Sequence, residues 1–157
     1  MTQLTGGTTK PITGGTTEVT VTLDLSALGA SLKALGSATL TSGTNVTFPI
    51  TGGSTNSTDY VIDHQGSGLE IVGTNPPATL DTQNYVVDTG SKVVNADISN
   101  EGTIGLFTLG SSGLSNVALT LTSDAVNALN TAFGLSGQDA LTTSTPIGNL
   151  TSSPTVK

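Results

Sequence analysis

The chain has 157 residues, 34% of them hydrophobic and only 10% charged, and nearly half are Gly, Thr, Ser or Asn. Four lysines, no arginine and eleven acids give a formal net charge of −7. Without arginine forks or a basic patch, nucleic acid is excluded as a partner, and the scattered Lys10, Lys33, Lys92 and Lys157 form no stripe that would hold an anionic membrane.

Residues 1–17 carry a near repeat, TGGTTKPI from Thr5 to Ile12 and TGGTT again from Thr13. Thr and Gly without apolar alternation predict a flexible arm. From Glu18 the pattern changes, with Val19, Val21, Leu23 and Leu25 at period two, which predicts a half-buried strand. Leu25, Leu28, Leu32 and Leu35 then recur at helical spacing before Gly36, with Ser26 as a cap, which predicts a short helix over residues 26–35. A hairpin is expected next, residues 38–40 and 46–50 around a turn at residues 42–45, with Pro49 suiting an edge.

Further short strands are expected at residues 60–64, 69–72, 84–88, 92–99, 104–109 and 117–121, separated by turns rich in Gly, Pro and Asn. Val126, Leu129 and Phe133 return to helical spacing, with Thr122 or Ser123 to cap and Gly134 to stop, so a second helix is expected over residues 123–133. The pattern thins after Gly137 and ends in a tail. The expected fold is mainly β, an antiparallel β-sandwich of about nine short strands with two short helices. The expected organisation is an arm at residues 1–17, one domain at residues 18–148 and a tail at residues 149–157.

Catalysis finds little to work with. His64 is the single histidine, and Gly66-Ser67-Gly68 lacks the spacing of a presented serine nucleophile, so no hydrolase triad is expected. Tryptophan is absent and the acids are dispersed, against a glycosidase cleft. One histidine and no cysteine cannot make a zinc set. Calcium could take oxygen ligands from loops, with Asp59 and Asp63, or Asp81 and Asp88, as the first pairs to consider, although no calcium-loop motif is present. No cofactor is required by any motif, and no run approaches the ~20 apolar residues of a transmembrane helix.

Several phrases carry a likeness to known proteins: FPITGG at residues 48–53, DHQGSGLEI at 63–71, NYVVDT at 84–89, VNADIS at 94–99 and LTLTSDAVNALNTAFG at 119–134. Over these residues the chain resembles exported bacterial surface β-domains, some of them HtaA-like. That resemblance implies a β-rich fold, and for HtaA-like domains haem held by a tyrosine assisted by a histidine. Tyr60, Tyr85 and His64 are the positions here that could take those roles.

The resulting expectation is a non-enzymatic structural or adhesive protein, secreted or on the cell surface, whose sequence begins without a signal peptide. Its partner would be a second copy or a cell-surface component. The arm and first strand, through Thr5, Ile12, Val19, Val21 and Leu23, would add to a neighbour's sheet edge and build filaments. The alternatives are a haem- or glycan-binding module of HtaA-like type and a calcium-dependent adhesin.

Overall fold

A computed structural model describes residues 9–23, 29–41, 44–56, 58–74, 77–98, 102–111, 113–134 and 141–156. Among these, β1 (Lys10–Val21), β2 (Ala30–Gly36), β3 (Thr39–Thr41), β4 (Asn45–Pro49), β5 (Gly52–Thr55), β6 (Tyr60–Thr74), β7 (Pro77–Asp88), β8 (Val93–Ile98), β9 (Gly102–Leu109) and β10 (Val117–Leu121) precede one helix, α1 (Ser123–Phe133), and the last strand, β11 (Pro146–Val156). The fold is mainly β and antiparallel, as expected. Neighbouring strands run β11-β10-β9-β8-β7-β6-β5-β1, and β1 pairs again with β11, so the hydrogen-bonded sequence returns to its start. β4 and β3 continue from β1, and among the described residues β2 pairs with β6 alone.

β1 begins at Lys10, well inside the segment expected as an arm. Its Thr/Gly stretch runs alongside β11, with Thr17 opposite Ser152 and Val19 opposite Leu150, and residues 16–20 also pair with β4. β11 likewise runs through the segment expected as a tail, burying Ile147, Leu150 and Ser152. The alternation missed there is real but polar: Thr17 and Ser152 occupy inward positions that a hydrophobicity pattern does not register. Gly15 adopts φ 113°, and a Cβ there would lie 2.1 Å from the Ser153 carbonyl oxygen, so this seam closes only over glycine.

The helix expected over residues 26–35 is not formed where the chain is described. Residues 30–36 are strand β2, in register with β6 from Ala30 opposite Gly73 to Gly36 opposite Ser67. Gly29 at φ 69° interrupts any helix through the leucine repeat, and pairing with a buried strand overrides a marginal helical period. Residues 24–28 lie outside the described residues. The two strands expected at 60–64 and 69–72 are one long strand, β6. Gly66-Ser67-Gly68 is a bulge within it rather than a turn, because the register with β7 shifts between His64 and Gly68. A Cβ on Gly68 would meet the Thr82 carbonyl oxygen at 2.0 Å.

The second helix forms as expected. Thr122 Oγ1 accepts from Ala125 N, Gly134 ends the helix at φ 63°, and Ala125, Ala128 and Leu129 are buried. The helix packs on β7 and β9. Inside the strand circuit Val46, Phe48, Ile62, Val87, Val94, Val117 and Leu119 are almost fully buried. Phe48, T-shaped against the buried Tyr85 at 4.9 Å, shares with it the centre of this otherwise aliphatic core.

Candidate functional site

Two interior regions meet at Tyr85. The first is a chain of buried polar groups that ties four strands together. Thr17 on β1, His64 on β6, Tyr85 on β7 and Ser152 on β11 all point inward. His64 Nδ1 lies 3.0 Å from the Tyr85 carbonyl oxygen, which can only accept, so Nδ1 carries the proton. Burial lowers the His64 pKa to about 4, which keeps the ring neutral, so Nε2 accepts from Thr17 Oγ1 at 2.6 Å. Thr17 Oγ1 then accepts from Ser152 Oγ at 2.8 Å. Every proton in the relay is directed one way, from β11 through β1 to β6 and β7.

The second region is an apolar cavity of about 80 Å³, several times the ~10–15 Å³ that one water needs. Val19, Val21, Leu69, Leu106, Leu121 and Leu129 form its buried walls, with Leu141 and Ile147 beside them. Leu23, Ala30, Leu32, Ile71, Phe107 and Phe133 are half-buried and form its rim. Among the described residues, Thr82 and Tyr85 are the lining residues with a polar side chain. Tyr85 bonds Thr82 through its hydroxyl, and burial pushes its pKa above the ordinary tyrosine value. Among the described residues no charged side chain lines the cavity, so an ionised ligand would find no counter-charge there to offset its lost hydration.

The other residues singled out from sequence lie apart. Tyr60 stands four positions from His64 on the same strand, ~13 Å along it, with its backbone N donating to Thr89 Oγ1 at 2.8 Å. Asp59 belongs to a local turn, donating its N to Asn56 Oδ1 at 2.7 Å, and Asp63 lies on β6, its carboxyl pKa raised by burial. Asp88 closes the turn after β7 by accepting from Ser91 N at 3.1 Å, whereas Asp81 sits mid-strand opposite Glu70. The hydrogen bond between those two carboxyl groups raises the Glu70 pKa. Among the described residues no three His, Cys, Asp or Glu side chains gather as a metal set. Asp97 is held below the usual carboxylate range by Asn84 Nδ2 at 2.9 Å and Thr103 Oγ1 at 2.5 Å. Of the residues expected to mediate assembly, Ile12, Val19 and Val21 are buried in the core, Leu23 is at the cavity rim, and Thr5 lies outside the described residues.

The fold has a solved counterpart. The crystal structure of the C-terminal domain of HtaA from Corynebacterium glutamicum superposes with a TM-score of 0.71, covering 94% of this chain and 99% of that one at 12% identity. This is a likeness of fold. No family model and no curated protein matches the sequence. Among the described residues, no helix is long and apolar enough to cross a membrane.

The haem implied by the HtaA-like resemblance finds no matching ligand set in this interior. A tyrosine that binds iron does so as phenolate, favoured by a neighbouring donor or positive charge. Tyr85 is buried with its hydroxyl bonded to Thr82, and His64 aims its Nδ1 proton at the Tyr85 carbonyl rather than at that hydroxyl. Tyr60 and His64 do not converge.

Thr17, Ser152 and Thr82 were not foreseen as functional residues. Extending the inward period of Val19 and Val21 back by one step finds Thr17. Nothing local marks Ser152 or Thr82, whose roles depend on partners from distant strands.

Proposed function

We propose that this chain is a non-enzymatic bacterial surface module, secreted or displayed outside the cell, that binds a small neutral apolar molecule between α1, β2 and the β1–β11 seam. The supporting observation is the cavity itself, with buried aliphatic walls, a half-buried apolar rim and, among the described residues, no charged side chain in its lining. Interiors are normally packed without such voids, and pockets of this composition are where small ligands bind. An alphabet without arginine, cysteine or tryptophan and the HtaA-like fold support a binding role over a catalytic one. A glycan would find too few hydrogen-bonding groups here.

Thermal melting in toluene-saturated buffer tests the proposal. Mass action predicts a rise in Tm of a few degrees that grows with toluene concentration. A Tm unchanged or lowered at every concentration would sink it. Added haemin is expected to give no Soret shift.

Assembly is favoured as a second role by one specific observation. Among the described residues β2 pairs on one edge only, whereas residues 16–20 of β1 are paired on both. β3 also pairs on one edge, but over three residues, so a neighbour's strand would add at the seven-residue β2. Light scattering that finds a monomer across concentration would exclude this.

A further inference from the structure

The hydrogen-bond directions at the cavity floor decide what kind of molecule it takes. Thr82 Oγ1 donates to the Leu69 carbonyl oxygen at 2.9 Å, and a hydroxyl has one proton to give. The proton in the bond between Thr82 Oγ1 and Tyr85 Oη must therefore come from the tyrosine. Among the described residues nothing donates to Tyr85 Oη in return. Thr82, which bonds the Tyr85 hydroxyl, lines the large cavity and not the smaller void of about 20 Å³ beside His64, whereas Tyr85 lines both.

Beside the apolar chamber thus lies a hydroxyl whose own proton is already committed. We propose that the cavity selects a neutral, mostly hydrocarbon molecule bearing one hydroxyl or N–H group, an alcohol, phenol or indole, with that group donating to Tyr85 Oη. A pure hydrocarbon leaves the acceptor unmatched, a ketone or ether meets it lone pair to lone pair, and a carboxylate or ammonium must shed its hydration in a chamber that has no counter-charge among the described residues. This assignment rests on the cavity being a binding site and adds the polarity of its ligand.

Three probes of similar size separate the two claims: cyclohexanol, cyclohexanone and methylcyclohexane, titrated calorimetrically into the wild type, Tyr85→Phe and Thr82→Val. The wild type is expected to bind cyclohexanol roughly fivefold to tenfold more tightly than cyclohexanone, the worth of one net hydrogen bond. Tyr85→Phe should bring the two affinities together. Thr82→Val frees the tyrosine proton and should shift the preference towards the ketone. If the wild type binds all three alike, or Tyr85→Phe keeps the preference for the alcohol, the donor assignment is overturned while the cavity stands as an apolar site. If none of the three binds, methylcyclohexane included, both claims fall together. Should a variant not fold by circular dichroism, the wild-type ranking decides alone.

Discussion

The two sides of Tyr85 are built to different rules. On the Phe48 side, every polar atom of the Ser152–Thr17–His64 relay has its partner and the aliphatic side chains are almost fully buried. On the Thr82 side, the walls are apolar, the rim is half-buried and space is left over. A satisfied buried network locks one arrangement of strands, because breaking any link strands a desolvated group. An underfilled apolar chamber gives up packing attraction that an occupant can restore. A satisfied polar network and leftover apolar space thereby meet at one tyrosine.

The contrast can be broken most forcefully at its packed end. Phe48→Ala removes the ring that contacts both His64 and Tyr85 and should cost about 3–5 kcal/mol in urea unfolding, as large-to-small core changes do. A loss below about 1 kcal/mol would mean the packed side is no tighter than the cavity side.

Acid attacks the same side through His64. Its folded pKa of about 4 lies below the ordinary value of 6.5, so the unfolded chain binds more protons between those limits. Stability should be complete above pH 6.5 and fall as pH drops towards 4, by a total of order 3 kcal/mol. The raised pKa values of Asp63 and Glu70 act in the opposite sense, and the lowered value of Asp97 adds loss only at still lower pH. Urea midpoints at pH 7 and pH 4.5 measure the effect, and equal midpoints would contradict it.

Thr17→Val is nearly isosteric, yet it leaves His64 Nε2 without its donor and should cost about 1–3 kcal/mol. Thr17→Ser keeps the hydroxyl and should cost less; if the two variants melt together, the relay contributes nothing. The smallest effect sharpens the contrast from the other side. Val21→Ile adds one methylene into the cavity and should stabilise by about 0.5–1 kcal/mol while reducing the toluene shift. The same change at the tightly packed Val46 should instead destabilise, by about 1–3 kcal/mol.

Much of the strand pattern was legible because it is local. The bounds of β10 and α1 follow from alternation, caps and a stop glycine that lie within a dozen residues of one another. What failed was non-local. β2 imitates a helix through its leucines and becomes a strand only because β6 offers seven partners, and β1 hides its inward face behind threonine. The site was less legible still. His64 and Tyr85 stand out as rare residue types, but neither their roles nor the cavity between strands so distant in sequence has a local signature.

The seam between β1 and β11 has a consequence for how the molecule is made. Thr13 and Thr155, bonded across it, are 142 positions apart. Contacts of such separation slow folding, because the loop must close before the contact is rewarded. During synthesis β1 emerges early and waits, with one flank lacking its final neighbour, until β11 has been made. A ribosome-bound chain ending before Pro146 should therefore expose β1 to proteases and to other nascent chains, and protection should appear late and in one step once β11 is available. Closure of the strand circuit therefore waits for β11 to be made.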